Sequence, residues 1–254
     1  GVPARDAIFS PNGKYIAYAI GNKLHIYKLD FGTEVPVTPV HEDTPLEQQK
    51  AISEVYEGVT DWLYEEEFAT TRIMAFSPDS KMLAFVRLTE TAVPTMQWSV
   101  FGTQMPMAEE PMLYPESESL RYPKAGTSNA KAELCIYDIA TKAIRVMKLP
   151  EDEDAYIPRI TWTTGTDKQP SELVALRINR DQNRMEVFYC NPKSTTSKLW
   201  YKEQSKDCYI DFSLFDEWQW LSDNRVLLVS EKSGWKQAYL YSQQGKELKQ
   251  LTSD

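Results

Sequence analysis

Apolar positions along this chain recur mainly every second residue, in runs too short for helices and bounded by turn residues. Phe9-Ser10-Pro11-Asn12-Gly13-Lys14 reads as a turn leading into the alternating strand Tyr15-Ile16-Ala17-Tyr18, and Asn22 separates that strand from a second, Leu24-His25-Ile26-Tyr27. The same phrase returns at Phe76-Ser77-Pro78-Asp79-Ser80-Lys81-Met82-Leu83-Ala84-Phe85, with Leu134-Cys135-Ile136-Tyr137-Asp138 as the matching later strand. This is an internal repeat.

Looser copies follow at Ile160-Thr161-Trp162 with Glu172 to Asn179 and Met185 to Tyr189, then at Trp218 to Asp223 with Val226 to Ser230 and Ala238 to Tyr241. Four repeats with room for about four short strands each predict an all-β chain built of β-propeller blades. Two stretches interrupt the repeat: a polar connector, Val35 to Glu57, and an insertion, Thr89 to Ala132. Segments of that length inside a domain tend to be functional or to form interfaces.

Composition sharpens the picture in two ways. Aromatic residues make up 12% of the 254 positions against only 10 glycines, which favours strands over low-complexity structure. The formal net charge of −9 argues against a nucleic-acid partner and suits a cationic ligand better. No apolar run approaches the length of a membrane span, so the chain is expected to be soluble. Cys135, Cys190 and Cys208 lack zinc-type spacing, and a bridge between Cys190 and Cys208 across Asn191-Pro192 is one open arrangement, free thiols the other.

The interruptions flank Asp61-Trp62-Leu63-Tyr64-Glu65-Glu66-Glu67-Phe68. Three consecutive carboxylates beside large aromatics need a cationic partner if the aromatics are buried. On a helical turn, neighbouring carboxylates splay by about a hundred degrees, so two of them can embrace an ammonium group. A solvated acidic turn is the other reading that the residues alone allow.

The string Asp61 to Phe68 resembles the acidic D-W-V-Y-E-E-E motif of the dipeptidyl peptidase IV family, and Arg121-Tyr122-Pro123-Lys124-Ala125-Gly126 resembles that family's P-Y-P-K-A-G segment. The resemblance is close from Phe9 to Tyr137 and looser to Asp254. It implies that residues 1–254 are an N-terminal propeller domain, about four to five blades of an eight-bladed propeller, without the catalytic α/β-hydrolase domain. By the same resemblance Glu66 and Glu67 would hold the free N-terminal amine of a peptide substrate, with Tyr64 and Glu65 in support.

An α-amine titrates near pH 8 in free peptides, and two adjacent carboxylates favour its charged form. An extended peptide advances roughly 3.3 Å per residue from such an anchor, so a fixed nucleophile meets only the second peptide bond. The parent protein is therefore expected to be a serine dipeptidyl peptidase that releases X-Pro or X-Ala dipeptides. The resemblance also implies a C-terminal hydrolase domain in the same chain, a homodimer, and a secreted, periplasmic or cell-surface site.

Departures from the family pattern accompany the matches. Arg5 lies too close to Ser10-Pro11 to stand for the family's substrate-contacting arginine, and the Phe-Arg pair of a later blade aligns with Phe212-Ser213, leaving Phe212 as a candidate pocket residue without its arginine. No G-x-S-x-G elbow occurs, and His25 and His41 sit in a strand pattern and a connector. This stretch is expected to contribute no catalytic residue, cofactor or metal ligand and to be inactive alone. Glu151 to Asp154 lacks the spacing of a calcium loop, and Met105 to Met112 reads as packing or an interface. Fewer blades than eight would leave open sheet edges and favour self-association. The alternative function is a non-catalytic binding or scaffold propeller, which has no reason to carry the glutamate run and Pro-Lys-Ala-Gly together.

Overall fold

The computed structural model describes residues 3–38, 54–101, 114–152, 154–165 and 170–253. His41 and Met105 to Met112 fall outside them. Four antiparallel meanders account for most of the strands. The first contains β1 (Ala4–Phe9), β2 (Tyr15–Ile20), β3 (Lys23–Lys28) and β4 (Thr33–Pro36) in sequence order. In the second, β7 (Met82–Thr89) pairs with β6 (Met74–Phe76) and β10 (Lys131–Asp138), β10 carries β11 (Ile144–Val146), and β5 (Val55–Glu57) joins the far end of β7. The third is β12 (Tyr156–Trp162), β13 (Leu173–Ile178), β14 (Arg184–Cys190) and β15 (Ser197–Gln204). The fourth is β16 (Gln219–Trp220), β17 (Val226–Ser230), β18 (Gln237–Tyr241) and β19 (Glu247–Gln250).

The repeated phrase folds the same way twice, for a local reason. Ser10 donates its hydroxyl to Asn12 Oδ1 and accepts the N–H of Tyr15, while Asn12 Oδ1 takes the N–H of Lys14. Ser77, Asp79, Lys81 and Met82 reproduce that network, and Ser80 takes the left-handed conformation (φ 59°) that Gly13 takes in the first copy (φ 68°). The two turns also meet, because the N–H of Asn12 donates to Ser80 Oγ at 3.0 Å.

The period of two decides the packing. On β7, Leu83 and Phe85 face the first sheet while Ala84, Val86 and Leu88 face the third; β10 divides the same way, with Cys135 and Tyr137 on one side and Leu134 and Ile136 on the other. Val174 and Leu176 on β13 turn toward the fourth sheet, where Trp200, Tyr201, Trp218, Tyr239 and Tyr241 fill the gap. The central sheets are thus buried on both faces, and the core lies in layers between successive sheets.

Two expectations change. The connector Val35 to Glu57 is structured at both ends, by β4 and β5, with residues 39–53 outside the described part. The insertion Thr89 to Ala132 holds a two-stranded ribbon, β8 (Thr95–Val100) with β9 (Glu116–Arg121), on which Trp98 is 39% exposed. The cysteines are free: Cys190 is buried against the second and third sheets, and Cys208 is exposed, so the bridge does not form. His25 bonds Glu34 at 2.9 Å and stacks on Tyr18, a structural role.

Candidate functional site

The acidic run forms the helix α1 (Trp62–Phe68), seven residues long, between β5 and β6 of the second sheet. Asp61 caps it by accepting the N–H of Tyr64 on Oδ1 at 3.0 Å, and Ala69 ends it in the left-handed conformation (φ 47°). A helix this short is not stable alone. Burial of one face supplies the difference: the rings of Tyr64 and Phe68, four residues apart, meet at a tilt with centroids 5.2 Å apart, and both contact the ring of Tyr156 on β12. The opposite face turns Glu65, Glu66 and Glu67 to solvent.

The helix is tied to its surroundings at several points. The Tyr64 hydroxyl accepts the N–H of Ile157 at 2.9 Å, and burial holds that phenol well above its ordinary pKa. Trp62 lies 4.7 Å, ring to ring, from Tyr122, so the acidic motif and the Tyr-Pro-Lys-Ala-Gly segment are in direct contact. The loop that carries that segment is itself held by Arg180, which donates to the carbonyls of Thr127 and Lys124. Glu67 borders a cavity of about 1650 Å³ shared with Gly126, Asn129, Asp154 and Arg180.

Beneath the N-terminus of α1 lies a pair of buried carboxyls. Burial pushes Asp61 up to about 6, partly offset by the Tyr64 N–H it accepts, with the charge of Glu65 adding to the rise. Glu90 is pushed up to about 7, first by burial and then by the charge of Asp61. The Tyr56 phenol, a hydrogen-bond partner of Glu90, rises to about 12, mainly through its own burial.

Phe212 opens a 3-10 helix, Phe212–Glu217, capped by Asp211, which precedes the fourth sheet. Its ring stands edge-on to Phe68 at 5.0 Å, so this candidate reaches the acidic helix. Two arginines outside the candidate set, Arg5 considered and set aside and Arg159 not considered, also meet α1. Arg5 approaches Glu65 Oε1 at 3.5 Å, and Arg159 on β12 donates to the Phe68 carbonyl at 3.2 Å. The sequence signal for Arg159 was a single charge in a strand with no other charged residue. Among the described residues no group of three or more His, Cys, Asp and Glu side chains is arranged to hold a metal ion, and no helix is long and apolar enough to cross a membrane.

Comparison with known proteins decides the family. The family model of the dipeptidyl peptidase IV N-terminal region matches residues 2–254. The chain belongs to the dipeptidyl peptidase IV N-terminal region family. The crystal structure of Porphyromonas gingivalis dipeptidyl peptidase 4 superposes with a TM-score of 0.83 at 35% identity, over 99% of this chain and 33% of that one. Dipeptidyl peptidase 4 of Trichophyton tonsurans is 30% identical over 249 residues, 94% of this chain and 29% of the fungal protein. Dipeptidyl-aminopeptidase B of Aspergillus niger is 30% identical over 210 residues, 79% of this chain and 21% of the relative. The dipeptidyl peptidase IV-type region described here thus spans between a fifth and a third of the length of these relatives.

Proposed function

We propose that this chain is the propeller part of a serine-type dipeptidyl peptidase and that Glu66 and Glu67 bind the free N-terminal amine of its peptide substrate. In this reading the four meanders are propeller blades, and a C-terminal α/β-hydrolase domain of the same protein supplies the nucleophile. The observation that carries the proposal is the solvent-facing glutamate row of α1, set on a helix whose other face is locked by Tyr64, Phe68 and Tyr156. Rigid support is what a ruler needs, since the cleavage position is read as a distance from the anchor.

The charge logic is direct. An ammonium placed between two carboxylates gains from both and loses that gain once acetylated. Glu65, occupied by Arg5 at 3.5 Å, is left in a supporting role. Phe212, packed on Phe68, offers an apolar wall beside the anchor for the first substrate side chain. Release of X-Pro or X-Ala dipeptides, homodimer formation and a site outside the cytosol complete the proposal by family likeness.

The test is hydrolysis of a Gly-Pro chromogenic amide by the full-length protein, wild type, Glu66→Gln and Glu67→Gln, with free and N-acetylated substrate. Rejection of the acetylated amide by wild type, with activity lost in both variants, is the expected result. Equal use of both substrates would reduce the glutamates to a solvated acidic turn and leave a binding scaffold.

A further inference from the structure

The last turn of α1 has a deficit that its own sequence does not meet. Helices end with carbonyls that lack intrahelical partners and carry a partial negative charge, and the last turn of α1 contains no basic residue. Arg159, 91 residues downstream on β12, fills that place: its Nη1 donates to the Phe68 carbonyl at 3.2 Å and to the Pro158 carbonyl at 3.0 Å. Its Nε reaches both oxygens of Asp216 on the 3-10 helix, at 2.9 and 3.1 Å. The guanidinium carbon lies 5.5 Å from the centre of the Phe212 ring. One side chain therefore touches the end of the acidic helix, the strand beneath it and the segment that carries the aromatic wall.

We infer that Arg159 is the positioning residue that fixes the acidic helix relative to Phe212, and so sets where the substrate's first residue is held. The inference rests on the proposed amine anchor. Glu67 directly precedes Phe68, so any shift of the Phe68 carbonyl displaces the Glu67 backbone with it. Among the described residues no other side chain hydrogen-bonds both that end and the 3-10 helix, and the Phe68–Phe212 ring contact is the apolar link beside it. Asp216 orients Arg159: a carboxylate that accepts from Nε leaves the Nη1 edge pointed at the carbonyls, a division of donors that the planar fork of arginine permits and a lysine ammonium does not. The energetic role of the pair is then geometric, because half of the Asp216 side chain is exposed and the charge attraction itself is screened.

The experiment uses the full-length protein and the Gly-Pro chromogenic amide, free and N-acetylated, with Arg159→Met, Arg159→Lys and Asp216→Asn. Arg159→Met is expected to raise KM for the free-amine substrate by about tenfold while kcat stays within about threefold, the pattern of lost ground-state binding. Arg159→Lys recovers part of the KM, since an ammonium can reach the Phe68 carbonyl or Asp216 but not both in the same geometry. Asp216→Asn falls between wild type and Arg159→Met.

Circular dichroism melts accompany each variant, and if Arg159→Met does not fold, the other two carry the same comparison. A KM within about twofold of wild type in folded Arg159→Met, or in both other variants if it does not fold, overturns the assignment. So does a fall in kcat that merely tracks the fraction of folded protein. Wild type that hydrolyses the acetylated amide as readily as the free one defeats the amine anchor instead, whatever the Arg159 variants do, so the two failures are told apart.

Discussion

The Tyr64 hydroxyl accepts the main-chain N–H of Ile157 at 2.9 Å, a bond that spans 93 residues and joins the acidic helix to the first strand of the third sheet. Both groups are buried, at 1% and 3% exposure. Tyr64→Phe keeps the ring contacts with Phe68 and Tyr156 but strands the Ile157 donor without water, at a cost of about 1–3 kcal/mol. In a domain of this size that is a fall in melting temperature of roughly 2–12 °C. A thermal melt indistinguishable from wild type would mean that the Ile157 N–H finds another partner.

Asp61 and Glu90 predict a pH dependence with a definite sign. Each carboxyl is held above its ordinary value, to about 6 and about 7, so each binds its proton more tightly in the folded chain than in the unfolded one. Their contribution to stability is complete at low pH and is lost as pH rises from about 4 to about 7. Asp61→Asn keeps the helix cap, because an asparagine oxygen accepts the Tyr64 N–H equally well, and removes the titration. Relative to wild type the variant should therefore gain on the order of 1–3 kcal/mol between pH 4 and pH 8. Urea unfolding at several pH values measures this, and a difference that does not change with pH would refute it.

The strands and the repeat were legible because alternation and a Ser-Pro-Asx turn are local signals: Ser10 and Ser77 each organise their own turn within five residues. Tyr64, Glu66 and Glu67 were singled out by the resemblance of Asp61 to Phe68 to the family's acidic motif, and the structure buries the first and leaves the other two exposed. Arg159 was not, because its partners Phe68 and Asp216 lie 91 and 57 residues away and meet only when sheets stack. Arg5 was set aside for its nearness to Ser10, yet β1 carries its guanidinium to Glu65 by way of a bulge, where Asp6 takes a positive φ of 57°. The ribbon β8–β9 stayed hidden because its residues, nearly all exposed, carry no burial pattern to read.

Gly245 is a position where the backbone admits no side chain. It turns the chain between β18 and β19 at φ 81°, and a Cβ built there would lie 2.2 Å from the main-chain oxygen of Trp200 on β15. That contact belongs to the seam between the third and fourth sheets, where the Trp200 indole also donates to the Gln243 carbonyl at 2.8 Å. Gly245→Ala must shift one sheet or the other, and a loss of at least about 2 kcal/mol is expected from the clash and the left-handed strain together. Ser233-Gly234 offers the control: Gly234 also has positive φ, at 95°, but nothing lies within 4 Å of its Cβ position. Gly234→Ala should therefore cost measurably less, and equal melting temperatures for the two variants would remove the seam as the cause.

Thiol chemistry separates the three cysteines by burial. Cys135 and Cys190 are fully buried, and burial pushes both thiols up to about 12, so neither offers a thiolate near neutral pH. Cys208 is exposed, with its sulfur 3.1 Å from Ser205 Oγ. A disulfide-exchange reagent should label one thiol in the native chain and three after denaturation without reductant. A single labelled thiol in the denatured, unreduced chain would instead require a bridge between two of them. Native labelling of more than one would mean that the layers around Cys135 or Cys190 open on the time scale of the reaction, since both sulfurs lie between stacked sheets rather than at an edge.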